Sequence, residues 1–135
     1  MTWHWGSKDG GPDSNSWVWG LELKNWFSIL VVKFDGPSER TVMHNHAFNS
    51  LSFLLKGELH EVRCTPGPLN HYTHHFHRCF AKPIWTSRNT LHEVHDIAAN
   101  TYVLSFRGKW QDTWEEYNPY TNEFVTLTHG RKKIE

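Results

Sequence analysis

Two cysteines in 135 residues are too few for a disulfide framework, and a reducing compartment keeps Cys64 and Cys79 as thiols. No apolar run approaches the roughly 18 to 20 residues that span a bilayer, and the N-terminus has no basic-then-apolar leader. These absences predict a cytoplasmic protein without a membrane span. Charge of either sign is also not in excess: fourteen basic residues balance fourteen acidic ones, so nothing in the net charge favours nucleic acid or an anionic membrane. Sustained 3.6-residue periodicity is missing as well, so helices are expected to be few and short. A nucleophile elbow, a phosphate-binding glycine loop and a dinucleotide fingerprint are all lacking. Cys64 or Cys79 with a loop histidine as a nucleophilic pair stays open, since nothing in the sequence fixes their geometry.

Aromatic residues and histidine are plentiful instead. Eight tryptophans and eight phenylalanines fill a small barrel economically, and so many large aromatics cannot all be internal; the surplus predicts a homodimer interface. Eleven histidines would turn the chain cationic near pH 6. At this length one core and one domain are expected.

Short strand-like runs separated by turns indicate an all-β sandwich or barrel. They are Trp17–Leu23, Trp26–Phe34, Arg40–His46, Leu51–Leu55, Glu58–Cys64, Ile84–Thr86, Thr101–Phe106, Trp110–Tyr117 and Glu123–Thr128. Asp35-Gly36-Pro37-Ser38, Thr65-Pro66-Gly67-Pro68 and Asn118-Pro119 punctuate them. Residues 1–16 are rich in Gly, Ser, Asp and Asn and read as a loose arm before the domain at 17–135, although Trp3 and Trp5 on alternate positions would let that arm pin itself to a sheet or a partner subunit.

The chemistry concentrates at Met43–Gly57. In an extended strand residues i and i+2 share a face, so His44 and His46 can present both imidazoles to one point. Neutral imidazole suits zinc, iron, nickel and copper alike. Asn70–Phe80 holds four more histidines, with His71, His75 and His77 on one parity and His74 on the other; a second metal site there is conceivable, and a polar, solvated hairpin is the plainer reading.

The spacing His44-x-His46-x3-Ser50-x6-Gly57 resembles the first cupin motif, H-x-H-x3-E-x6-G, with Ser in place of Glu. Ser87, Asn89, His92 and Asp96 have the spacing of the second, P-x-G-x2-H-x3-N, with only the histidine retained. From Trp26 to about Tyr120 the chain is similar to short bacterial and phage cupin-like proteins, which share the H-x-H, the Ser, a later lone His, and a T-x-x-L strand (here Thr101 to Leu104) leading to a Trp-rich hairpin (Trp110 to Tyr117). The resemblance implies a jelly-roll barrel and one divalent metal, iron or zinc first, with nickel, copper or manganese compatible, held by His44, His46 and His92. His95 competes with His92, and lies on the opposite parity. Asp96 shares the parity of His92 and could orient a ligand or act as a base, and Ser50 could hydrogen-bond a bound water or substrate. Such a neutral three-His site is similar to that of thiol-oxidising cupin oxygenases and to hydrolytic zinc centres. The expected function is therefore oxygenation or metal-assisted hydrolysis of a small molecule. A non-catalytic cupin that binds or senses a small molecule is the competing expectation.

Overall fold

A computed structural model describes residues 1–8, 16–35, 43–78, 82–95, 99–128 and 132–133. Among the described residues thirteen strands are formed and no helix. One sheet carries β1 (Thr2–Lys8), β2 (Ser16–Glu22), β3 (Ser28–Asp35), β10 (Ala99–Arg107), β5 (Ser50–Lys56) and β8 (Ile84–Thr86), in that order. The other carries β13 (Lys132–Lys133), β12 (Glu123–Thr128), β11 (Thr113–Asn118), β4 (Met43–His44), β9 (Leu91–His95), β6 (Glu58–Thr65) and β7 (His71–Arg78). Every pairing is antiparallel, and two stacked antiparallel sheets with these crossovers make a jelly roll.

Alternation along the strands explains the two-layer packing. In β3, Ser28, Leu30 and Val32 are buried while Ile29 between them is exposed, and in β10 Thr101, Val103 and Ser105 are buried while Phe106 is exposed. The inward set divides the barrel lengthwise. Leu54 and Val103 from the first sheet meet Leu59 from the second, with Phe34 and Val94 packed against them, and this apolar plug fills one end. Fully burying a Leu or Val contributes about 1.5–3 kcal/mol, so the plug stabilises the fold without an ion. At the other end the inward positions are polar. Ser28, Arg107, Ser50 and Thr86 lie in one cross-strand row of the first sheet, and Glu116, His44, His92 and Arg63 in one row of the second. Arg63 spans the two, its Nη2 donating to Trp85 O at 2.8 Å and to Thr86 Oγ1 at 3.4 Å. On the far face of the second sheet Met43, Val62, Cys64, Leu91 and Tyr117 form a second apolar layer.

Several boundaries differ from the sequence reading. Thr2–Lys8, expected within a loose arm, forms β1 along β2: Trp3 and Trp5 point away from His4, whose Nε2 lies 3.3 Å from Glu22 Oε1, and Gly6 at φ +79° accommodates the register shift between Trp5 and Ser7. Residues 9–15 lie outside the described set. The strand expected at Arg40–His46 is β4, Met43–His44, and residues 36–42 also lie outside that set. The strand expected from Trp110 begins at Thr113, because the backbone N–H groups of Trp110 and Gln111 donate instead to Lys24 O and Ala47 O. No helix of the described residues is long and apolar enough to cross a membrane.

Candidate metal centre

β4 is short because the chain leaves the ladder immediately after His44, yet Asn45 keeps the register. Its N–H donates to Glu115 O at 2.9 Å, and its Oδ1 accepts from Glu115 N–H at 2.6 Å. His46 therefore stays on the parity of His44, and both rings face the barrel interior, 4.9 Å apart. β9 runs beside β4 with His92 directly opposite His44, their rings 4.8 Å apart. The ligand nitrogens of His44, His46 and His92 lie within 4.8 Å of one another. Three imidazole nitrogens gathered on that scale are a donor set that suits a borderline divalent ion.

The tightest contact is between His46 Nε2 and His92 Nε2, 2.7 Å apart. Two ring nitrogens at that distance either share a proton as an N–H···N hydrogen bond or both turn their lone pairs to one metal ion. The other nitrogen of His92 is committed: Nδ1–H donates to Glu61 Oε2 at 2.5 Å. That bond fixes the tautomer with the Nε2 lone pair facing the other two histidines.

Glu61 was not singled out from the sequence. It is almost fully buried in β6, and its Oε1 accepts from Arg63 Nε at 3.0 Å and from His77 Nε2 at 3.1 Å. Burial alone would raise its pKa; the hydrogen bonds from His77 and His92, with the charges of His92 and Arg63, outweigh it and hold the carboxyl far below its ordinary value. His46 is lowered too, which for a base favours the neutral form. Burial, then the neighbouring charges of His92, His44 and Arg107, lower its pKa well below 6.5 against a smaller opposing pull from Glu61. Its ring stacks on Phe48 at 5.2 Å, and Phe48 packs on Trp110 at 5.0 Å and under the Arg107 guanidinium at 4.8 Å.

The remaining candidates fall as follows. Ser50 is buried on the inner face, in register with Arg107 and Thr86. His95 pairs with His60, three residues along β9 from the His44 register. Asp96 lies outside the described residues. The histidine run is β7, an edge strand in continuous register with β6. Its members divide by parity: His77 reaches in to Glu61, with His75 stacked parallel at 6.3 Å, while His74 and Phe76 stack outward on His60. Among the described residues His44, His46 and His92 are the one group with metal-ligand spacing, and the run forms no second. Glu116 was also missed; it is buried and directly opposite His44 on β11. Glu61 shares the parity of Leu59, but Val62 and Cys64 on the other parity of β6 are equally apolar and buried, so nothing in the sequence marked that carboxylate as inward. Cys64 is a buried free thiol whose pKa burial raises, and Cys79 lies outside the described residues.

No protein-family model and no curated protein matches the sequence. Solved structures do match. A sugar phosphate isomerase from a cupin superfamily, from Silicibacter pomeroyi, superposes with TM-score 0.55 at 12% identity, over 90% of this chain and 76% of that one. The fold is that of the cupins. Oxalate decarboxylase from Bacillus subtilis aligns with TM-score 0.54 at 4% identity over 80% of this chain, which spans only 28% of the decarboxylase. KdgF from Halomonas sp. aligns with TM-score 0.51 at 12% identity, over 82% of this chain and 97% of that one. At such identities the likeness carries the cupin barrel and its two-sheet topology.

Proposed function

We propose that this cupin-fold protein holds one divalent ion on His44, His46 and His92 and acts on a small molecule, by oxygenation or by metal-assisted hydrolysis. The observation that supports the reading is the convergence of His46 Nε2 and His92 Nε2 at 2.7 Å while Glu61 holds the opposite nitrogen of His92. A bound divalent ion there supplies Lewis acidity and coordination positions left open by three protein ligands. The protein's own groups supply the rest. Glu61 orients His92, and the apolar plug closes the barrel behind the site. Ser50 and Glu116 share the inner faces that flank it and are the groups suited to hydrogen-bond a ligand. Iron and zinc are the first metals for this donor set.

Phe48 against His46, with Trp110 behind it, favours a second reading, a cupin that binds or senses a small molecule without turnover. Elemental analysis of protein purified without an affinity tag tests the metal. One ion per chain is expected; protein that arrives empty and takes up neither zinc nor ferrous iron on titration overturns it. Turnover by the loaded protein separates the two readings.

A further inference from the structure

The outer face of the first sheet is apolar across its whole width. A single cross-strand row runs Trp3, Leu21, Ile29, Phe106, Leu51, Trp85 through all six strands. The next row on the same face runs from Trp5 to Phe53 through Trp19, Val31 and Leu104, and Phe53 meets Phe106 edge to face at 6.0 Å. Trp3, Trp5 and Trp85 are 65%, 78% and 56% exposed, and Ile29 and Phe106, at the centre of the face, 40% and 39%. With roughly 200 Å² on a large aromatic side chain, these five alone leave about 500 Å² of apolar surface in water. The half-buried residues of both rows add to that. The five alone already lie at the upper part of the roughly 300–600 Å² of the largest patch on an ordinary monomer, and the rest of both rows extends the face toward the roughly 800 Å² that each partner buries in a stable complex.

We propose that this face is a homodimer interface in which a second copy of the chain packs sheet against sheet about a two-fold axis. Three observations select a second copy. The face is broad and built from registered strands, and such a surface is covered best by another twisted sheet with strands within about 30° of its own. Its composition is the same from edge to edge, so it is complementary to itself, as a two-fold contact requires. The chain carries no net charge to oppose self-association. The charges that do border the face also set the axis. Lys33 and Lys56 lie in the third row, either side of Tyr102, and Lys8 sits 5.4 Å over Trp17 in the same row. A two-fold axis running across the strands places the lysine rims of the two copies at opposite ends, whereas an axis along the strands would oppose them. The outward side chains of this face take no part in the histidine site, so the dimer stands or falls independently of the metal.

Sedimentation equilibrium of the full chain tests the interface, with Phe106→Asp and Ile29→Lys as variants at its centre. Both side chains already point out of the barrel, so each variant is expected to keep the wild-type circular dichroism and metal content. The expected result is a dimer for the wild type at micromolar concentration and at least about thirtyfold weaker association for each variant. A wild type that stays monomeric at tens of micromolar overturns the proposal, as does a dimer that survives in whichever variant is folded. The same tryptophan and lysine composition also suits an anionic lipid surface. A monomer that binds phosphatidylserine vesicles, and loses them on Phe106→Asp, overturns the dimer in favour of that surface.

Discussion

His92 and Glu61, 31 residues apart in the chain, are joined by a 2.5 Å hydrogen bond that sets which nitrogen of the histidine faces His46. Replacing the carboxylate by an amide removes the charge and breaks the acceptor set shared by His92, His77 and Arg63. Glu61→Gln is expected to weaken zinc binding by about 10- to 100-fold. His77→Ala, one step further out, is expected to have a smaller effect in the same direction. Competition against a chromogenic chelator measures both, and equal affinity in Glu61→Gln and wild type would remove Glu61 from the site.

Combined His44→Ala and His46→Ala substitutions are expected to abolish metal content and leave the barrel folded, because Leu54, Leu59 and Val103 stabilise it by apolar burial at the other end. Elemental analysis beside a far-ultraviolet spectrum checks this. Stoichiometric metal in the folded double variant would move the site elsewhere.

Ser50→Glu places a carboxylate where the cupin motif ordinarily has one, on the inner face between Arg107 and Thr86. A fourth, oppositely charged ligand is expected to strengthen retention of a divalent ion by about tenfold and to slow any reaction that needs the open position. Dissociation of zinc into excess chelator gives the first quantity directly. No change in either would mean that Ser50 does not face the ion.

Gly57 closes the same motif at φ +92°, and a Cβ there would sit 2.3 Å from Thr101 Oγ1 and 2.9 Å from Thr101 Cα. Thr101 is fully buried, so it cannot step aside. Gly57→Ala combines a left-handed backbone with overpacking and is expected to cost about 2–4 kcal/mol, a fall of roughly 10 °C in Tm. A melting temperature within a degree or two of wild type would contradict this placement.

The sequence by itself determined what is local. Short apolar and β-branched runs bounded by turn residues made β3, β5, β6 and β10 legible, and the spacing of His44 and His46 put both imidazoles on one side of an extended chain. Ser50 and Gly57 carried the motif spacing, and alternate tryptophans at 3 and 5 signalled a sheet face, although the composition around them argued for a loose arm. Parity cannot say which strands become neighbours, because that depends on crossovers between segments dozens of residues apart. Tertiary structure therefore decided that His92 lies opposite His44 while His95 lies opposite His60. It also brought Glu61 under His92 and turned His77 inward from a mostly exposed strand to meet it. A carboxylate on a strand reads the same in sequence whether it faces water or a barrel interior; only the assembled barrel, with the first sheet covering the inner face and His92, His77 and Arg63 of the second supplying donors, makes Glu61 part of the site.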